Sequence, residues 1–186
     1  MNNTAKMIIV LTAIGIISGG LLTYVNTWAE PEIIRHRQEE TQNALKEIIP
    51  GASEFRKISN AEFAYFEALH KDGSPAGYLF VNSGNGYQGN ISVLVGLDSA
   101  RKTVLGIKVL EQSETPGLGT KASEPAYTDQ FRGFPANESI AWKKVRTKAN
   151  EIEAVTGATI SSKAIGGIVE NGIMLFNRNF SEHINE

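Results

Sequence analysis

Ile91-Ser92-Val93-Leu94-Val95-Gly96-Leu97 and Val104-Leu105-Gly106-Ile107-Lys108-Val109-Leu110 are two apolar runs rich in Val and Ile. The polar stretch Asp98 to Thr103 separates them. Branched residues bounded by a short polar interval predict two strands joined as a hairpin. Working upstream, Tyr78 to Val81 reads as a short strand, and Asn82 to Asn90, rich in Gly and Asn, as a loop. Downstream, Glu111 to Thr120 reads as a loop containing Pro116, Gly117 and Gly119. Ser123 and Pro125 open a short helix carrying Tyr127, Phe131 and Phe134, and Ile140 to Val145 and Ile152 to Val155 read as further strands. The last element is a helix from Ser162 to Phe180, whose Ile165, Ile168, Val169, Gly172 and Leu175/Phe176 recur at the spacing of one buried face. These elements predict an α+β fold, an antiparallel sheet flanked by helices.

The amino-terminal part is different. Met7 to Val25 carries no charge and is dominated by Ile, Leu, Val, Ala and Gly. At roughly 1.5 Å per residue it spans about 28 Å, close to a bilayer's hydrocarbon thickness. Tyr24 and Trp28 fall where an interfacial aromatic belt lies. Residues 1–29 are expected to be a retained membrane anchor, a single N-terminal transmembrane helix. The alternative is a cleaved signal peptide, against which stand the length of the apolar run and the poor small-residue site at Trp28-Ala29-Glu30-Pro31. Lys6 before the span and Arg35, His36 and Arg37 among glutamates after it leave the orientation open. Residues 30–50 read as a charged helical stalk ending at Pro50-Gly51, its apolar Ile33, Ile34, Leu45, Ile48 and Ile49 being too few for a core element. Residues 51–186 are left for the soluble domain.

The net charge is −2, from 18 basic and 20 acidic residues, so no basic surplus points to nucleic acid. There is no cysteine, which excludes a thiolate-held iron–sulfur cluster, a disulfide framework and a thiol nucleophile. Redox chemistry in this chain therefore needs an organic cofactor or a metal held without thiolates. His36, His70 and His183 are scattered, with no second ligand at a metal-binding spacing, and no metal site is expected.

Gly84-Asn85-Gly86-Tyr87-Gln88-Gly89 matches the dinucleotide fingerprint G-x-G-x-x-G, but a strand-type run follows it where that mechanism needs a helix. A loop with tight turns is the simpler reading. Asn90-Ile91-Ser92, Asn137-Glu138-Ser139 and Asn179-Phe180-Ser181 satisfy the glycosylation sequon, a match too short to carry weight. Two segments are more specific. Glu114-Thr115-Pro116-Gly117-Leu118-Gly119 joins a φ-fixing proline to two glycines after a strand, either a loop whose amides face a ligand or a structural turn. Thr156-Gly157-Ala158-Thr159-Ile160-Ser161-Ser162 lies just before the last helix. Its small residues leave Thr159 reachable, and free amides at a helix start favour an anion there. Ser161 or Ser162 would serve equally as an N-cap.

Thr156-Gly157-Ala158-Thr159 resembles the S/T-G-A-T flavinylation motif. That motif belongs to the FMN-binding domain shared by the G subunit of the Rnf complex and the C subunit of the sodium-pumping NADH:quinone reductase. Glu114 to Gly119 resembles the family's E-T-P-G-L-G loop, and Gly86-Tyr87-Gln88-Gly89-Asn90-Ile91 its glycine-rich segment. The family motif often begins with Asp three residues before the first Ser/Thr, where this chain has Glu153. The length and the Ser161-Ser162-Lys163 continuation are closer to the G subunit of the Rnf complex. The resemblance implies FMN esterified through its phosphate to Thr159, installed by a separate flavin transferase. It implies cofactor-binding roles for Thr156, Gly157, Ala158, Ser161, Ser162, Glu114, Thr115, Pro116, Gly117, Leu118, Gly119, Gly86 and Tyr87. It further implies an electron-relay subunit, without stand-alone catalysis, of an ion-translocating ferredoxin:NAD oxidoreductase. Its partners would be the other membrane subunits and the lipid bilayer, in a single-pass protein of the cell (inner) membrane with the FMN-binding domain, 51–186, on the extracytoplasmic side. The alternatives are the C-type subunit of the quinone reductase, a membrane-anchored FMN-binding sensory module, and a flavin-free structural subunit.

Overall fold

The structure, a computed structural model, describes residues 2–59 and 63–183, with side chains as far as Phe180. The side chains of Ser181 and His183 lie outside the described residues. The chain divides into two compact units, Met1–Glu40 and Thr41–Glu186. From Asn3 onward the first is helical, part of α1 (Asn3–Ile48), which runs through Pro31 without a break. Among the described residues α1 is the one helix long and apolar enough to cross a membrane. The stretches expected as a membrane span (1–29) and a helical stalk (30–50) both fall largely on this helix. Pro31 removes a single backbone donor, a loss the surrounding helix tolerates here.

The second unit is built on an antiparallel meander of β1 (Glu54–Ser59), β2 (Ala64–Leu69), β3 (Pro75–Asn85), β4 (Asn90–Asp98) and β5 (Thr103–Glu111). The expected hairpin is β4–β5, with Val93 opposite Val109 and Val95 opposite Ile107. Its turn is closed by the Asp98 carboxylate, which accepts from the amides of Lys102 (2.7 Å) and Thr103 (3.1 Å). The short helix α2 (Pro125–Thr128) follows, and β6 (Phe134–Pro135) adds to the sheet beside β5. β7 (Ala141–Trp142) and β8 (Glu151–Ile152) are all that pairs of the two strands expected over 140–155, and they pair in parallel. The long helix α3 (Thr159–His183) ends the described chain.

Successive residues of a strand point to opposite faces. Ile91, Val93, Val95 and Leu97 join the core under α3, whereas Leu94 packs in a second cluster with Leu45, Ile48 and Leu79. Both faces of β4 are therefore covered, which explains a continuous apolar run in place of strict alternation. Ala44, Leu45, Ile48 and Ile49 are buried, so the end of α1 is a core element of the second unit and not only a stalk. Close approach makes this possible, because a Cβ on Gly96 would sit 2.3 Å from Cγ2 of Ile48.

On the other face, Phe176 of α3 stacks on Phe80 at 5.1 Å between ring centroids and meets Tyr65 edge-on at 5.3 Å. Gly166, Gly167 and Gly172 cost α3 about 2–3 kcal/mol relative to alanine. Full burial of one large side chain, as at Phe176, contributes about as much, so packing of Ile165, Val169, Ile173 and Phe176 holds this helix against its own composition. Two elements went unseen in the sequence. β1 and β2 pair from Glu54↔Leu69 to Ser59↔Ala64. The stretch 82–85, expected as loop, continues β3 opposite 90–93, so the G-x-G-x-x-G match is a β-hairpin with Gly86 N bonded to Gly89 O at 2.7 Å.

Candidate functional site

Three loops meet at the same end of the sheet. The β3–β4 turn supplies Gly86 to Gly89, the segment after β5 supplies Glu114 to Thr120, and the turn before α3 supplies Thr156 to Ala158. Their junction is the side chain of Glu114, only 5% exposed. Its Oε1 accepts from the amides of Tyr87 (2.8 Å) and Gln88 (3.0 Å), and its Oε2 from the Ser161 hydroxyl (2.5 Å). Gln112 Oε1 in turn accepts from the Glu114 amide at 2.7 Å, which fixes where the side chain starts. Burial raises the Glu114 pKa, but the bonds from Ser161 and from the amides of Gln88, Tyr87 and Gly89 outweigh it and hold the carboxyl below its ordinary value. The group is an ionised carboxylate tying three segments together. No larger residue fits at Gly86 or Gly119, where a Cβ would come within 2.3 Å and 2.7 Å of Glu114 atoms.

The turn into α3 depends on Gly157, whose φ of +82° admits a Cβ only with strain. Ser162 locks it, its Oγ accepting from Val155 N at 3.0 Å and donating to Ala158 O at 2.9 Å. The Tyr127 hydroxyl donates to Ser162 O at 2.6 Å from below, and burial pushes that phenol's pKa up. The first bond of α3 runs from Ser162 N to Ala158 O, so the amides of Thr159, Ile160 and Ser161 have no intrahelical acceptor. Thr159 is exposed beside them. Gly117 has a φ of +75°, and its amide donates to Thr120 Oγ1 at 3.0 Å.

Between these loops lies a cavity of about 440 Å³, lined by Tyr87, Glu114, Thr115, Leu118, Gly119 and 157–161. Of the residues anticipated from the sequence, Tyr87, Glu114, Thr115, Leu118, Gly119, Gly157, Ala158, Thr159 and Ser161 line it. Gly86, Pro116, Gly117, Thr156 and Ser162 do not line it; Ser162 acts on the wall through its hydroxyl, which holds the turn into α3. Glu153 is exposed, held by its backbone to Gln130 at 2.8 and 3.1 Å, and is not part of the wall, so its extra methylene leaves the cavity unchanged. Ile160 was missed. It lines the cavity and is exposed, the only hint being its position inside the motif.

The donor set suits FMN. A helix start with three open amides and a reachable hydroxyl is a place that can hold a phosphate. Tyr87, Leu118 and Ile160, all more than half exposed at the cavity, offer apolar surface to a flat ring system.

The FMN-binding domain family matches residues 86–174. The chain is 31% identical over 170 residues to the G subunit of the ion-translocating oxidoreductase complex of Methanosarcina acetivorans, covering 86% of this chain and 87% of that one. It is 36% identical over 155 residues to the G subunit of the Na(+)-translocating ferredoxin:NAD(+) oxidoreductase complex of Acetobacterium woodii, covering 81% and 73%. Among solved structures, Shewanella oneidensis NqrC shares the fold with a TM-score of 0.54 at 19% identity, over 64% of each chain.

Proposed function

Since the chain belongs to the family formed by the G subunits of ion-translocating oxidoreductase complexes, we propose that it is a membrane-anchored electron-relay subunit holding FMN covalently on Thr159. The observation that carries this reading is the cavity that joins the exposed Thr159 and the open amides of α3 to the loops around Glu114. FMN supplies reversible electron transfer at a position and in an electrostatic field set by the protein. A separate flavin transferase would move the FMN phosphoryl group from FAD to Thr159: the Thr159 oxygen loses its proton and bonds the phosphorus, the pyrophosphate P–O bond breaks, and AMP leaves carrying the displaced oxygen. The amides of Thr159, Ile160 and Ser161 then face the phosphate charge. Tyr87, Leu118 and Ile160 would offer the ring its apolar contact, and Glu114 holds the walls at their spacing without serving as a ligand for the phosphate.

The covalent link makes the cofactor's local concentration independent of free flavin outside the cytoplasm. The soluble unit faces the extracytoplasmic side, and ferredoxin and NAD are assigned to the whole complex, with neither bound by this chain. The test is isolation of the full chain from native membranes under mild detergent. Other membrane subunits and visible flavin absorbance should copurify with it. A flavin-bearing chain that isolates alone would point to a sensory module, and a colourless one in the assembled complex to a structural subunit.

A further inference from the structure

Trp142-Lys143-Lys144-Val145-Arg146-Thr147-Lys148 places four cations in a short loop of a chain whose net charge is −2. The loop is built, not slack. The Glu151 carboxylate, on a residue only 7% exposed, accepts from Thr147 N (2.7 Å), Thr147 Oγ1 (2.7 Å) and Lys148 N (3.0 Å). Arg146 bonds back to the carbonyls of Lys148 (3.3 Å) and Ala149 (3.4 Å). The hydroxyl and amide of Thr147 hold Glu151 below its ordinary pKa, with Lys143 adding to the effect. The Glu151 carboxylate is thus spent on shaping the loop. Among the described residues, none of Lys143, Lys144, Arg146, Lys148 and Lys163 forms an ion pair within 4 Å. Between the cations stands Val145, 73% exposed.

The loop is also placed. Trp142 packs against α3, where a Cβ on Gly166 would come within 2.8 Å of its ring, and Lys163 Nζ lies 6.0 Å from the ring centroid. Lys163 is one turn beyond Thr159, so the cationic loop flanks the end of α3 that bears the cavity.

We propose that the 143–148 loop is a docking surface for anionic lipid headgroups. A cluster of cations around one exposed aliphatic residue, with an aromatic ring at its base, suits the headgroup boundary of a bilayer. α1 is long and apolar enough to cross that bilayer, which keeps lipid at a high effective concentration. An acidic protein would be met by the cations alone and gives the outward valine no role. The proposal needs a bilayer and not a flavin, so it stands or falls separately from the cofactor assignment.

The chain has no cysteine, so Val145→Cys carries a polarity-sensitive fluorophore at a unique site. The labelled full chain is placed in nanodiscs of phosphatidylcholine alone or with about one third phosphatidylglycerol. Emission should rise about twofold with the anionic lipid and fall back at about 0.5 M salt, where the screening length is a few ångströms. Joint replacement of Lys144→Ser, Arg146→Ser and Lys148→Ser should abolish the rise, and the salt titration reads the same interaction in an unmutated loop. A label at Asp72→Cys, in the β2–β3 turn, should not respond. Equal emission in both discs, a response without salt dependence, or an equal response at position 72 would overturn the proposal. So would a photo-crosslinker at Val145 that joins a protein chain in native membranes, because the partner would then be an acidic protein.

Discussion

Replacing Glu114 removes the acceptor that ties its own loop to the β3–β4 turn and to the first turn of α3. In Glu114→Ala the amides of Tyr87 and Gln88 and the hydroxyl of Ser161 lose their partner. Each unmade bond costs about 1–3 kcal/mol, and water entering the adjoining cavity brings the loss toward the lower end, about 3 kcal/mol in all. For a unit of this size that lowers Tm by roughly 6–12 °C. Glu114→Gln keeps an oxygen for the two amides and turns an NH2 toward Ser161, whose hydroxyl rotates to accept. What remains is the lost charge assistance, about 1 kcal/mol. The pH dependence has a definite sign. The folded pKa of Glu114 is depressed, so its ionised form contributes stability above the unfolded carboxylate value of about 4.3, and that contribution is lost as pH falls through the folded value. The deficit of Glu114→Gln should therefore be full at neutral pH and shrink as pH drops below about 4. Thermal unfolding of the full chain in detergent, followed by circular dichroism between pH 3 and 7, measures both effects. If both variants stayed within about 0.5 kcal/mol of the parent at pH 7, the carboxylate would not be the tie described.

Gly117→Val should impair flavin loading through backbone strain of about 1–2 kcal/mol at φ +75°, since a Cβ there meets nothing within 4 Å; unchanged loading kinetics with the transferase would make that turn dispensable. Gly96→Ala should destabilise the second unit by about 1–3 kcal/mol, because its methyl would overlap Ile48, and Ile48→Ala in the same chain should recover part of the loss in a denaturation experiment. Alkaline phosphatase fused after Glu186 should be active and an identically placed, Sec-exported green fluorescent protein dark, since the phosphatase needs an oxidising exterior; the reverse pattern would place the flavin in the cytoplasm.

The hairpin of β4 and β5 was legible because Val, Ile and Leu dominate runs that are buried on both faces. α3 was legible from the spacing of Ile165, Val169 and Phe176, although it starts earlier than expected, at Thr159, because Ser162 locks the turn from inside the helix. β1 was not legible. Glu54-Phe55-Arg56-Lys57-Ile58-Ser59 is an edge strand whose pairing with β2 carries the structure and whose side chains are mostly exposed. Asn82 to Asn85 hid a strand because Gly and Asn are poor strand formers, held here by nine-residue-long pairing with β4 and by Asn82 Nδ2 donating to Ile168 O at 2.8 Å. The burial of Leu45 and Ile48 was hidden too, because a few apolar positions on a charged helix acquire meaning only once Gly96 opens a seat for them. At the site, the sequence pointed to two motifs and a glycine-rich turn. That one carboxylate bonds to both of the others depends on contacts 26 to 47 residues apart, which no local pattern reveals.

The most direct test of the central claim is fluorescence of the denatured chain. The protein is made with a flavin transferase, run on a denaturing gel, and its intact mass compared with that of Thr159→Ala and Thr156→Ala. The account predicts a fluorescent band and an added FMN phosphoryl mass in the parent, both retained at a lower level in Thr156→Ala and absent in Thr159→Ala. Undiminished covalent flavin in Thr159→Ala would contradict it.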